Sequence, residues 1–323
     1  MKYSEHLLLA CLSLVVLMAG AAAAYDQPLG LNLGASSFLD GAPPAGAGFY
    51  FQEYIMYYTA DHFSNKDPCA WFDKDAYVDA WVSLNQFIYQ SDQNLLPGAK
   101  WGLNVIVPVV CLDAEDSAGF LTDSGGGLGD IAVGPFLQWD PIMGKNGPIF
   151  AHRLEFTTIW PTGKYDDKKA LNPGSNFFSF NPYWAFTWWA LPRVELSARL
   201  HYLWNDENED PFDPHVPGVT APSSTQAGQA CHANFAASLE VVPKVLRIGV
   251  NGYYLKQIEH SKVNGSKQGY GLEEVFAIGP GALLSFSKNT HLFANAYWET
   301  ETDSRPEGGP WGGRFYLRLV QHF

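Results

Sequence analysis

Val194 to Asn205 is the stretch that most limits what this chain can become. Val194, Leu196, Ala198, Leu200, Tyr202 and Trp204 fall on one side of an extended chain. Glu195, Ser197, Arg199, His201 and Asn205 fall on the other, with Leu203 the exception. Side chains of a strand alternate between two faces, so a period of two sorts these residues, whereas a helical period would scatter them. The same alternation recurs. Phe150, Leu154, Phe156 and Trp160 oppose Arg153, Glu155 and Thr157. Phe178, Phe180, Trp184, Phe186 and Trp188 oppose Ser179, Asn181, Tyr183 and Thr187. Phe235, Leu239 and Val241 oppose His232, Asn234, Ser238 and Glu240. Leu246, Ile248, Val250, Tyr254 and Ile258 oppose Arg247, Asn251, Tyr253 and Gln257. Between residues 48 and 323 we count twelve such segments.

A soluble β-sandwich also alternates, and three further features separate the two. First, the apolar faces begin or end on large aromatics: Trp139, Trp160, Trp188, Trp204 and Trp298. A sandwich buries its largest side chains mid-strand, while a membrane barrel sets them at its two interfaces. Second, the connections alternate in length. Short ones fall at 92–98, 141–148, 191–193, 243–244 and 287–290. Long ones fall at 64–77, 113–127, 162–176, 206–228, 260–272 and 300–311. Short periplasmic turns and long outer loops are the asymmetry of bacterial barrels. Third, Phe315, Leu317, Leu319 and Phe323 line one face of a last strand, opposite Arg314, Tyr316, Arg318 and His322. A terminal aromatic of this kind resembles the signal read by the outer-membrane assembly machinery, although Gln321 stands where an apolar residue is usual. Composition agrees: aromatics are 15% of the chain and charged residues only 16%, against a usual ~25%. The expected fold is all-β, a transmembrane antiparallel up-and-down barrel of twelve strands.

The N-terminus carries an export signal. Lys2 precedes the apolar run Leu7 to Met18, and Ala22-Ala23-Ala24 offers a cleavage site before Tyr25. A spanning helix needs ~20 apolar residues, and no later window supplies one. Residues 25–47, rich in Gly, Ala, Ser and Pro, precede the first strand and read either as a periplasmic leader or as a plug folded into the lumen. The regular spacing of Leu29, Leu31, Leu33, Phe38 and Leu39 would be odd in a purely solvated tail, which keeps the plug beside the leader. The net charge of −13 argues against a nucleic-acid partner. Cleavage leaves Cys69, Cys111 and Cys231, an odd number whose pairing the sequence does not choose.

No catalytic, cofactor or metal motif survives inspection. Gly125 to Asp130 does not complete a dinucleotide loop, and Pro161-Thr162-Gly163-Lys164 lacks Walker spacing. Asp206 to Asp210 opens like a calcium loop, but Pro211 and Pro217 replace its Gly and Glu. A solvated acidic loop is the plain reading, and divalent-ion bridging to lipopolysaccharide phosphates the alternative. His152 has lipid-facing parity, a feature shared with barrel lipid hydrolases, and reads as an interfacial residue.

Parity turns Asp130, Arg153, Glu155, Glu195, Arg199, His201, Glu240, Arg247, Asn251, Tyr253, Arg314 and Arg318 inward. Tyr183, Trp189, Phe293, Tyr297 and Tyr316 share that side. Opposite charges at similar depth can form an ion-pair lattice that packs the interior. The other reading is a solute pathway. Inward rings suit aromatic or acyl compounds, and the arginines suit a carboxylate or phenolate head group. The parity of the first two strands stays open, because Glu53 falls among Phe49, Phe51 and Ile55.

Three short motifs, in order, resemble one outer-membrane family. These are Pro43-Pro44-Ala45-Gly46-Ala47-Gly48-Phe49-Tyr50-Phe51-Gln52, then Gly127-Leu128-Gly129-Asp130-Ile131, then Pro161-Thr162-Gly163-Lys164-Tyr165. The chain resembles the MetA-pathway phenol-degradation proteins, which include the SphA-type outer-membrane proteins. The resemblance implies an outer-membrane barrel tied to the breakdown of aromatic or other hydrophobic compounds, with small hydrophobic or aromatic solutes and outer-membrane lipid as partners. A long-chain fatty-acid transporter is the nearest analogue in architecture, which does not fix a substrate.

Overall fold

The computed structural model describes residues 27–28, 31–42, 46–60, 62–64, 76–116, 119, 121–213, 221–268, 272–303, 305–307 and 313–323. The export signal, Leu29 and Cys69 lie outside the described residues. Among the described residues, twelve long strands form the wall: β1 (Gly48–Ala60), β2 (Tyr77–Leu96), β3 (Ala99–Glu115), β4 (Ile131–Trp139), β5 (Gly147–Trp160), β6 (Ser179–Leu191), β7 (Val194–Asn205), β8 (Ala230–Val242), β9 (Leu246–Gln257), β10 (Glu274–Ser285), β11 (Thr290–Asp303) and β12 (Gly313–His322). Each pairs antiparallel with its chain neighbours. The ring closes where β1 meets β12, in register from Tyr50 with His322 to Thr59 with Gly313. Beyond that seam the N–H of Phe323 donates to the carbonyl of Phe49 at 3.0 Å. Closure removes the two free edges that an open sheet would expose to lipid.

Polarity is inverted relative to a soluble protein. Glu155 and Glu195 are 1% and 0% exposed, while Phe156 and Leu200 on the same two strands are 43% and 46% exposed. Alternation predicts this sorting, and Leu203, the exception in β7, turns inward and is fully buried. Rings gather at the two ends of the outer wall. At the short-turn end Phe49 packs on Tyr89 (4.8 Å between centroids) and Tyr89 on Trp101 (5.5 Å). At the loop end Tyr57 packs on Trp81 (4.6 Å) and Trp160 on Phe178 (5.2 Å). These are the two aromatic girdles of a membrane barrel.

The open question in β1 resolves against simple patterning. Tyr50, Tyr54, Met56 and Tyr58 are buried inward, and Phe49 and Ile55 are exposed outward. Glu53 therefore faces lipid. The Ser83 hydroxyl donates to its carboxylate at 2.6 Å, and Asn85 donates to Ser83 at 3.1 Å. This small closed network lowers the cost of an acid in an apolar belt. His152 stacks on Trp139 at 4.4 Å as part of an outer aromatic cluster.

The connection expected at 92–98 is shorter in the structure. β2 runs to Leu96, turning on Pro97 and Gly98 (φ 70°), and its pairing with β3 shifts register between Gln90 and Asn94. Ser91 to Asn94 carry turn-like side chains, yet the ladder continues past them. Cys111 and Cys231 are free and exposed on the outer wall.

Two of the motifs singled out in the sequence meet at the loop end of β3–β5. The Asp130 carboxylate accepts the backbone N–H of Gly163 at 2.9 Å and of Ser175 at 2.7 Å. The N–H of Ile131 donates to the Thr162 hydroxyl at 2.9 Å, and that of Lys164 to the Leu128 carbonyl at 2.8 Å. A Cβ on Gly163 would stand 2.7 Å from the Cα of Gly174, so two chain segments cross here only as glycines. Asp130, grouped by parity with the lumen, is thus occupied in holding loops together.

Candidate functional site

Residues 27–28 and 31–42 lie in the interior of the barrel. At the loop end, Gln27 donates to the Gly228 carbonyl (2.8 Å) and accepts from Asn205 (2.9 Å). Midway, the Tyr316 hydroxyl donates to the carbonyl of Leu33 (2.5 Å) and that of Tyr297 to the carbonyl of Gly34 (2.8 Å). The N–H of Gly34 donates to the Asn234 amide oxygen (2.8 Å), and Asn295 donates to Ser37 (3.2 Å). Near the short-turn end Arg199 grips Asp40 with two hydrogen bonds, Nε to Oδ2 at 2.8 Å and Nη2 to Oδ1 at 2.6 Å. There the N–H of Gly41 donates to the Thr187 hydroxyl (2.9 Å), and Gln138 donates to the Gly41 carbonyl (3.1 Å). Backbone polar groups inside a barrel need partners, and the inward polar faces of the wall provide them.

The segment is held under strain. Leu39 has φ 57°, a left-handed conformation costing roughly 1–2 kcal/mol for a residue with a Cβ. Gly41 lies so close to the wall that a Cβ would fall 2.3 Å from the Cα of Phe186. Gly41→Ala is therefore expected to unseat this turn. Hydrogen exchange at residues 38–42 should rise in that variant while the wall strands stay protected.

The other inward residues form paired clusters. Glu155 accepts from Tyr183 (2.5 Å) and Asn104 (2.9 Å), with Arg153 at 3.9 Å. Glu195 accepts from Ser197 and Ser238 at 2.6 Å each, and Arg247 donates to Ser238 at 2.8 Å. Glu299 accepts from Tyr253 at 2.7 Å and lies 3.7 Å from Arg314. His201 and His232 stack at 3.9 Å, and both point a ring nitrogen at the Asn181 amide oxygen. Arg199 also covers the Tyr183 ring at 4.2 Å. Asn251 is fully buried beside Gly281, and Arg318 lies over Phe293 at 3.6 Å. Glu240 caps a turn through the N–H of Lys244 (2.8 Å), and Trp189 is half-buried near the same rim. Asp40 and Glu299 escaped the sequence reading. The first sits ahead of the first strand, where no parity was read, and the second follows Trp298 where the strand was judged to be ending.

One sector of the interior is apolar. Met56, Ala80, Val82, Val110 and Leu112 of β1–β3 face Leu31 and Leu33 of the threaded segment across a gap of about 30 Å³, bordered by Tyr58, Glu273 and Arg314. This chamber is small, with room for a water or two, and its lining is apolar with polar groups at one edge. All seven apolar side chains belong to one buried cluster.

A closed twelve-stranded wall, inverted polarity and two aromatic girdles define a bacterial outer-membrane barrel with a channel fold. A sequence profile described as "Putative MetA-pathway of phenol degradation" matches residues 61–314, and the chain belongs to that family. Among solved structures, the COG4313 outer membrane channel from Pseudomonas putida F1 is similar with a TM-score of 0.72 at 16% identity, covering 88% of this chain and 97% of that one. The transport unit of the autotransporter AIDA-I from Escherichia coli gives 0.49 at 9% identity, covering 95% and 97%. The TodX deltaS2S3 mutant, a monoaromatic hydrocarbon channel, gives 0.44 at 8% identity, covering 87% and 93%. No curated protein matches the sequence.

Proposed function

We propose that this barrel admits small hydrophobic or aromatic compounds passively across the outer membrane, and that residues 27–42 act as a plug over their path. The observation that carries this reading is the apolar sector between Leu31, Leu33 and the inner face of β1–β3. Barrel interiors are ordinarily polar, and an apolar lining there has a use for apolar cargo, which would enter as Leu31 and Leu33 move aside. The family description, which refers to phenol degradation, supports the same cargo class. No energy source is needed for flow down a gradient into a cell that consumes the compound. Lipid surrounds the wall, lipopolysaccharide would meet its loops, and the terminal Phe323 would address the chain to the assembly machinery.

The test places a charge in the chamber. Val110→Asp is expected to slow phenol uptake several-fold by vesicles with a lipopolysaccharide outer leaflet, with unboiled gel mobility unchanged. Uptake at the wild-type rate would remove the chamber from the path. A second reading, a closed barrel with an envelope role, draws on the density of contacts between residues 27–42 and the wall. It expects no phenol uptake above that of protein-free vesicles.

A further inference from the structure

Arg318 stands apart from the other inward arginines. Arg153, Arg199, Arg247 and Arg314 each lie against a carboxylate or a hydroxyl. Arg318 is equally buried, yet among the described residues its guanidinium lies over two rings, Phe293 at 3.6 Å and Tyr54 at 5.6 Å, with no ion pair to a carboxylate, and its Nε, like that of Arg314, has no hydrogen-bond partner. A guanidinium has five N–H donors, and ring faces satisfy none of them as a lone pair would. Asn295 follows two residues after Phe293, the cross-strand partner of Arg318, and its amide oxygen, like that of Asn251, is buried without a donor. They converge with Phe38 on one spot. A Cβ on Gly281 would lie 2.1 Å from the Asn251 oxygen, 2.7 Å from the Asn295 oxygen and 2.9 Å from the Phe38 ring. Phe38 itself packs with Phe293, Leu283 and Val320.

A ring thus sits where donors and acceptors go unspent. We propose that Phe38 stands in for the ring of a hydroxyl-bearing aromatic solute, and that Arg318 with Asn251 and Asn295 binds the hydroxyl. Such a hydroxyl accepts from the guanidinium and donates to an amide oxygen, which satisfies both kinds of group at once. An unsubstituted ring leaves them unpaired, as Phe38 does, so the site favours the hydroxylated compound. Binding at this spot requires Phe38 to leave, which couples the solute to displacement of residues 27–42. The inference rests on the uptake reading for its purpose but is testable without flux.

Phenol, benzoate and toluene are titrated calorimetrically into the detergent-solubilised full barrel and its variants. Phe38→Ala removes the internal competitor and is expected to tighten phenol binding about tenfold or more. Arg318→Gln is expected to weaken phenol binding about tenfold, the loss of one charged hydrogen bond, and to leave toluene binding unchanged. Arg318→Lys should recover part of the loss. Unboiled gel mobility verifies that each variant keeps a closed barrel. An unaltered ratio of phenol to toluene affinity in Arg318→Gln would overturn the proposal, as would unchanged phenol affinity in Phe38→Ala or tighter binding of benzoate than of phenol. Arg318-dependent binding without phenol uptake would contradict the uptake reading alone. Uptake without Arg318-dependent binding would contradict this inference alone.

Discussion

A barrel lacking residues 27–42 should conduct ions in a planar bilayer as a stable open pore, where the intact protein stays closed or flickers. Twelve strands enclose more width than the eight that side chains alone can fill. The difference is taken up here by the threaded segment, whose Leu33, Ser36, Ser37 and Phe38 are all buried. Without it, Asn234, Tyr297, Tyr316 and Arg199 lose their partners and face water, to which they can hydrogen-bond. The wall keeps its own closure through the pairing of β1 with β12, so loss of the segment should leave gel mobility unchanged. An equally closed bilayer recording would mean that the wall and loops, and not this segment, obstruct the lumen.

Asp40→Ala is expected to release the same segment by a smaller change. The Arg199–Asp40 pair has 13% and 4% of its side-chain surfaces exposed. Removing one partner of a buried pair typically costs ~3–5 kcal/mol because the other charge is left uncompensated. Each 1.4 kcal/mol is about tenfold in an equilibrium, so the open fraction should rise by roughly a hundredfold or more. Conductance and protease cleavage within residues 27–42 both report it. Arg199→Ala should act in the same direction, and the double variant should be milder than the sum of the two, because neither charge then remains buried alone. Additive effects would show that the pair does not hold the segment.

The wall was legible where its two faces differ chemically. In β7 the inward Glu195, Ser197 and His201 and the outward Leu196, Leu200 and Tyr202 leave one solution. In β2 the contrast vanishes, because Val78, Ala80 and Val82 face in while Trp81 and Phe87 face out. Period-two reading has no purchase on a strand that is apolar on both sides, and the apolar chamber is built from such strands. Glu53 left the parity of β1 open for a different reason, since the Ser83 hydroxyl that pairs with it, and the Asn85 behind that, come from the next strand. The path of residues 27–42 was open to two readings because their contacts are almost all to residues more than a hundred positions away, such as Gly34 with Asn234. Asp130 shows the limit of parity: position gave its side of the sheet, but only the crossing of Gly163 and Gly174 showed what its carboxylate holds.

Movement of the threaded segment as the gate for aromatic solutes is the central claim, and one measurement meets it directly. Ser36→Cys and Asn234→Cys, whose native side chains hydrogen-bond at 2.9 Å, are combined with replacement of the native cysteines, and the protein is placed in vesicles with a lipopolysaccharide outer leaflet. Phenol uptake is followed before and after reduction of the cross-link. Uptake near the protein-free rate when oxidised, restored on reduction, is the predicted result. Equal uptake in both states, or none above protein-free vesicles in either, would contradict the account.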